Sequence, residues 1–113
     1  AIKLLLEGAR SNAPSGIFAN YYATLPRYID VPFAWEVDDL IGLAPHHRLL
    51  IHLAKRKNSL MKGYVSLRRT PGLEDVSWDD YLWATSVIGS RIFKRDEARC
   101  CMVPFMDLMD HDP

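Results

Sequence analysis

The last third of the chain, residues 77–113, constrains the fold most because it joins an apolar helical pattern to an apolar strand pattern. A helix that is apolar on nearly every side lies inside a protein. After Ser77, apolar residues fall on most sides of such a helix: Trp78, Tyr81, Leu82, Trp83, Val87 and Ile88. Residues 100–105 are a continuous apolar run that predicts a strand, with Pro104 at its edge or end. A buried helix, a buried strand and an acidic turn are therefore expected in this order.

Helical patterns dominate the rest of the chain. Short helices are predicted over residues 2–9, 17–24 and 37–43, and the longest helix over residues 45–69. Apolar residues at helical spacing predict that this long helix has one buried stripe, with basic residues on its other sides. The stripe consists of Leu49, Leu53, Leu60, Tyr64 and Leu67, with Leu50, Met61 and Val65 alongside.

Prolines and capping residues predict where these helices end. Pro26 and Pro32 frame a segment expected to be extended, because a residue before proline avoids the helical region. Trp35, just beyond, is predicted to be an anchor. Ser77 is suited to cap the next helix, and Asp80 occupies the position of a capping-box acid.

Composition excludes several classes of protein. The 113 residues suffice for one domain, and 14 basic residues balance 14 acidic ones. A chain of net charge zero is not a general nucleic-acid or anionic-membrane binder. No apolar run reaches the roughly 18 residues of a membrane span.

The adjacent Cys100 and Cys101 would make a strained disulfide, which favours a reducing, intracellular setting, cytoplasmic or organellar.

Several further residues have both a functional and a structural interpretation. His46, His47 and His52 do not share the i, i+4 spacing of a metal pair, so a polar helix face or cap is the preferred interpretation and no metal site is predicted. The cluster at residues 55–57, Lys-Arg-Lys, is either a solvated face or a phosphate site. Cys100 and Cys101 are interpreted as inert buried thiols rather than nucleophiles.

One ordered motif resembles a known family. The helix ends in Ser90-Arg91-Ile92-Phe93, and the strand leads through Pro104 to Asp107 and Asp110-His111. Upstream, the chain has Leu25-Pro26, Pro32, Trp35 and Tyr81-Leu82-Trp83-Ala84 in the same order as the family. The pattern resembles the SET-domain protein methyltransferases, in particular the branch of the Rubisco large-subunit and actin-histidine methyltransferases.

The resemblance implies a fold and a division of the chain. The chain would be mainly α with a short strand, and α+β in the intact protein. Residues 1–113 would form a single partial domain. Residues 1–76 would be the inserted helical subdomain, and residues 77–113 the helix, strand and cofactor-binding turn of the SET (β-clip) core.

The resemblance also implies roles for five residues. Arg91 would pair with the carboxylate of S-adenosylmethionine, and Asp110 and His111 would hold the rest of the cofactor. Backbone carbonyls of Ser90 and Asp107 would line the channel where the target amine meets the methyl group. No side chain is assigned as catalytic, because the reaction would depend on alignment of amine, methyl and sulfonium. The expected activity is N-methylation of lysine, possibly histidine, in a protein substrate.

Two departures from the family leave alternatives open. Asp110 stands where the family has asparagine, and its carboxylate would face that of the cofactor. The family's glycine-bearing strands and its channel-closing tyrosine would lie outside these residues, so the chain alone is expected to be inactive. Arg91 could instead be a cation favoured by the helix dipole. The chain could also be a degenerate, non-catalytic subunit, or a stand-alone helical module.

The expected partners follow from these alternatives. They are a protein substrate or a protein partner, and further chain segments that cover both ends of this one. No nucleic acid and no membrane span are expected.

Overall fold

A computed structural model describes residues 2, 5, 6, 19–94, 100–104 and 106. Leu5 and Leu6 are helical and buried, as the pattern at residues 2–9 predicts. The later elements are α1 (Ala19–Thr24), a 3-10 turn (Pro32–Ala34), α2 (Val37–Ile41), α3 (His47–Leu67), α4 (Trp78–Arg91), β1 (Ile92–Lys94) and β2 (Cys100–Met102). The prediction of a mainly helical chain with little strand is confirmed.

The chain divides into two compact units. One is Asp30–Leu82, and the other combines Ala1–Ile29 with Trp83–Pro113. The boundary falls inside α4, so this helix contributes its first residues to one unit and its last residues to the other. The division implied by the family resemblance, at residues 76 and 77, stays a prediction.

The start of α4 is fixed by the cap that the sequence predicts. The Asp80 backbone N–H donates to Ser77 Oγ over 3.0 Å, and the Ser77 hydroxyl donates to Asp80 Oδ2 over 2.7 Å. From residue 81 to residue 88 no side chain is exposed, and Ala84 and Val87 are completely buried. The prediction that this helix lies in the interior is confirmed.

An aromatic cluster holds the unit Asp30–Leu82 together. The rings of Tyr64, Trp78 and Tyr81 lie 5.3 to 5.8 Å apart, within the range of favourable aromatic contacts. The Tyr64 hydroxyl donates to the Val76 carbonyl over 2.9 Å, which ties α3 to the segment before α4. Leu60, Leu73, Val76, Tyr81 and Leu82 are buried in this unit.

The long helix differs from its prediction in length and in burial. It begins at His47 rather than Pro45, and Leu60 is the only buried residue of His47–Leu67. Leu49, Met61 and Val65, predicted in or beside the buried stripe, are 44%, 49% and 51% exposed. Helical spacing shows which residues share a side, but the width of the buried strip depends on what packs against it. The covered side of α3 is narrower than its apolar side.

The segment before α2 stays out of helix, as predicted, and Val31, the residue before Pro32, has extended backbone angles. Pro32 then opens a 3-10 turn that the sequence did not predict, since proline suits the first turn of a helix. Trp35 is half-buried, and its indole N–H donates to the Asp30 carboxylate. The Glu36 backbone N–H then donates to Asp39 Oδ2 over 3.2 Å at the start of α2.

Two helical glycines should respond to alanine in opposite directions. A Cβ at Gly63 would overlap the hydroxyl of the buried Tyr81, whereas a Cβ at Gly89 meets nothing within 4 Å. Gly63→Ala should lower the free energy of unfolding by about 1–3 kcal/mol through overpacking. Gly89→Ala should raise it by about 0.5–1 kcal/mol by reducing unfolded-state freedom. Urea unfolding followed by circular dichroism measures both, and equal effects would contradict this packing.

The Tyr81 phenol should make stability depend on alkaline pH. Burial raises the pKa of Tyr81 above its ordinary 10.0, and the Arg56 guanidinium opposes the rise. Between the unfolded and folded pKa values the unfolded chain binds fewer protons, so stability falls as pH rises through this window. Tyr81→Phe should show a shallower loss above about pH 10. Tyr28→Phe, at a tyrosine that is 76% exposed, should follow the parent protein.

Candidate functional site

Ser90 and Arg91 form the C-terminal end of α4. Ser90 is exposed, and its hydroxyl donates to the Val87 carbonyl over 3.1 Å. Arg91 is half-buried, with its Nε atom buried. A cation in the last turn is favoured by the helix dipole, which explains why arginine is tolerated there. The burial of Nε nevertheless distinguishes Arg91 from a simple surface cation.

The end of α4 is positioned by the segment around α1, within the same unit. The Trp83 indole N–H donates to the Pro26 carbonyl over 2.8 Å. Tyr21 and Leu25 are buried, as are Ala84 and Val87. The Leu25-Pro26 pair and Trp83 were separate parts of the family-like pattern. The structure brings them together, a contact that neither motif predicts alone.

A two-stranded hairpin continues directly from Arg91. Strands β1 and β2 pair antiparallel, with Ile92 opposite Met102, Phe93 opposite Cys101 and Lys94 opposite Cys100. The sequence predicted only one strand, over residues 100–105. Strand β2 ends earlier, at Met102, and Pro104 lies in a turn because it has no backbone N–H for a ladder. Strand β1 was missed because three residues are too few to show an alternating pattern.

The hairpin register places the exit of β2 beside the end of α4. Cα atoms of directly opposed antiparallel residues lie about 4.5–5.5 Å apart, so Met102 lies next to Ile92 and hence close to Arg91. The residues that follow β2, which lead into the predicted acidic turn, therefore begin close to Arg91. Asp107, Asp110 and His111 lie outside the described residues, so the structure places two of the five predicted site residues, Ser90 and Arg91.

The other candidate residues whose side chains the structure describes are solvent-exposed. His46 is at the N-cap position of α3, and His47 and His52 are exposed on that helix. Cys101 is a free, exposed thiol, so its assignment as a buried thiol was wrong. Within the described residues, no group of three or more His, Cys, Asp or Glu side chains could hold a metal ion. Residues 55–57 are exposed, and the Arg56 guanidinium lies 5.9 Å from the centroid of the Phe33 ring.

No family model, curated protein or solved structure matches this chain. In the part of the chain that the structure describes, no helix is both long enough and apolar enough to cross a membrane.

The register that brings β2 to Arg91 can be tested with a disulfide. In a Cys100→Ser background, Phe93→Cys places a thiol directly opposite Cys101, within the Cα separation that a disulfide accepts. Ile92→Cys places it on the other face of the strand. Mild oxidation should cross-link the first variant and leave the second reduced, as measured by mass spectrometry of the non-reduced protein. The reverse result would mean that the register is shifted by one residue.

Proposed function

We propose that this chain supplies the cofactor-binding helix end and turn of an S-adenosylmethionine-dependent SET-type protein methyltransferase acting on lysine, possibly histidine. One observation carries the proposal. The Arg91 guanidinium, with its Nε buried, lies at the end of an interior helix, and the hairpin register starts the Pro104-to-His111 segment beside it. These are the two parts of the chain that the family motif requires to meet.

The described residues fit the carboxylate end of the cofactor. The Arg91 guanidinium presents several donors in one plane, which suits a carboxylate. Its partial burial makes such a contact stronger than a contact in open solvent. When bound, the cofactor would supply an electrophilic methyl group on a sulfonium.

The end of α4 also fits the proposed substrate channel. The last four carbonyls of a helix have no partner within that helix, and Ser90 is among these residues. The Ser90 hydroxyl donates to the Val87 carbonyl. The backbone carbonyl of Ser90 would accept a hydrogen bond from the N–H of the target amine. Carbonyl acceptors of this kind would orient the target amine in line with the methyl group, which is the main requirement of the reaction.

Asp110 is the residue on which the proposal of activity depends. An asparagine there could donate an N–H, whereas an ionised aspartate only accepts and would repel the cofactor carboxylate. The chain is therefore either a weak binder of the cofactor or, as the second candidate, a degenerate subunit with a structural or interaction role. The aspartate itself favours the second candidate, and the half-buried Arg91 favours the first.

Isothermal titration of the intact protein with S-adenosylmethionine separates the two candidates. We expect binding that Arg91→Met weakens by about tenfold to a hundredfold, the typical value of a hydrogen bond to a charged group. Arg27→Met, at an exposed arginine, should have no effect. Asp110→Asn should tighten binding about tenfold by removing a like charge.

Two results would count against the enzyme. If the parent protein shows no heat at millimolar cofactor and Asp110→Asn restores none, the degenerate subunit is the correct description. If Arg27→Met weakens binding as much as Arg91→Met does, the cofactor is not held at the end of α4.

A further inference from the structure

The face of α3 that the rest of the chain leaves exposed has a heptad pattern. Ile51, Asn58 and Val65 are seven residues apart, and Ala54 and Met61 form a second row between them. All five are exposed, and Ile51, Met61 and Val65 are each about half exposed, at 51%, 49% and 51%. In a coiled coil, two helices pack through rows at two heptad positions, called a and d. Here Ile51, Asn58 and Val65 take the a positions, and Ala54 and Met61 take the d positions. We call these five residues the α3 seam.

Most of the α3 seam lies away from the side of α3 that packs in its own unit. Leu60 is buried and Tyr64 bonds to the Val76 carbonyl, and both lie on another side of the helix. Ala54, at the edge of the seam, also lines a cavity with residues of the Pro32–Ala34 turn. The C-terminal half of the seam borders a shallow groove formed by Met61, Lys62, Val65, Ser66 and Arg69. Apart from Ala54, the seam is therefore an additional apolar surface rather than an unfilled part of the core.

A row of basic residues runs along one flank of the seam. Arg48, Lys55 and Lys62 on α3 are also seven residues apart, at the e positions of the same heptads, and Arg69 follows at the same spacing just past the end of the helix. All four are exposed, and within the described residues none forms an ion pair. The helix His47–Leu67 contains no acidic residue, although the whole chain has net charge zero. Three of the five Lys and Arg residues of this helix therefore lie in one row beside the exposed apolar residues.

From this combination we infer that the α3 seam binds an acidic amphipathic helix of a partner protein. Apolar residues of the partner would pack on Ile51, Met61 and Val65, and its Glu or Asp side chains would face the basic row. Asn58, in the middle of an a row, would set the register, as a single polar residue at this position does in coiled coils. A second copy of this chain is disfavoured because two basic flanks would repel.

The inference is independent of the proposed methyltransferase function, because it uses no residue of the α4–hairpin region. The basic row alone would also fit a nucleic acid. The apolar rows beside it, with exposed methyl and thioether groups, favour a helix instead, since phosphates make no use of them.

A synthetic peptide of about three heptads, the length of α3, provides a direct test. The peptide carries Leu at a and d, one Asn at the a position opposite Asn58, and Glu at both flanks. Fluorescence anisotropy of the labelled peptide, titrated with the intact protein, should show saturable binding. A peptide with Lys in place of Glu should bind about tenfold more weakly.

Charge reversal on the protein should reverse this preference. Lys55→Glu with Lys62→Glu should weaken binding of the Glu peptide about tenfold and strengthen binding of the Lys peptide. His52→Glu with Ser59→Glu is the matched control, because these exposed residues have the same spacing but lie farther round the helix. The control should leave the preference for the Glu peptide unchanged. All four substitutions are at exposed positions, so far-UV circular dichroism should not change.

Three results would overturn the inference. The first is equal binding of both peptides by the parent protein, or no binding of either. The second is binding of a single-stranded oligonucleotide that Ile51→Ser with Val65→Ser leaves unchanged while the Glu peptide does not bind. The third is a concentration-dependent dimer in sedimentation that the same two seam substitutions dissociate, which would assign the seam to a second copy of the chain.

Discussion

The burial of α4 on nearly every side is the constraint on which the structure depends. Between residues 81 and 88 no side chain is exposed, so this stretch of the helix has no exposed side. Both compact units use the helix, because its first turn belongs to one and its remaining turns to the other. The polar groups of buried segments need partners, and the Pro26 carbonyl accepts from the Trp83 indole. At the exposed N-terminus of the helix, Ser77 and Asp80 form the cap.

The end of this helix determines the geometry of the candidate site. Because β1 follows Arg91 with no intervening loop, the position of Arg91 also sets where the hairpin begins. The register then places the exit of β2 beside the same arginine. A cation at the helix end and a returning strand would form one side of the proposed cofactor site. The function assigned to it stays a proposal, because it depends also on Asp107, Asp110 and His111.

The two long helices differ in how much of their apolar surface is buried. In α4 nearly all of it is buried, whereas α3 buries Leu60 and leaves apolar residues exposed along a second side. Exposed apolar residues scattered singly are ordinary on proteins. A heptad row flanked by basic residues at the same spacing is not scattered, and for this reason the charge pattern is more informative than the exposure alone. The basic residues of the cluster at 55–57 have different surroundings: Lys55 belongs to the basic row, and Arg56 lies over the Phe33 ring.

The sequence by itself determined the features that depend on local chemistry. Helical spacing located α3 and α4 to within a few residues. The Ser77 cap was predicted correctly, and the apolar residues after it correctly predicted an interior helix. Each of these follows from interactions between neighbours in the chain.

Only the tertiary structure decided which surfaces are covered and which distant segments meet. The sequence could not show that Leu49, Met61 and Val65 stay exposed, because burial depends on the width of the neighbouring surface and not on the period of the helix. It missed β1 because three residues carry no readable alternation, and it therefore missed the register beside Arg91. Strand pairing and the Trp83–Pro26 contact are long-range interactions, and their partners are chosen by packing of the whole unit rather than by any one segment.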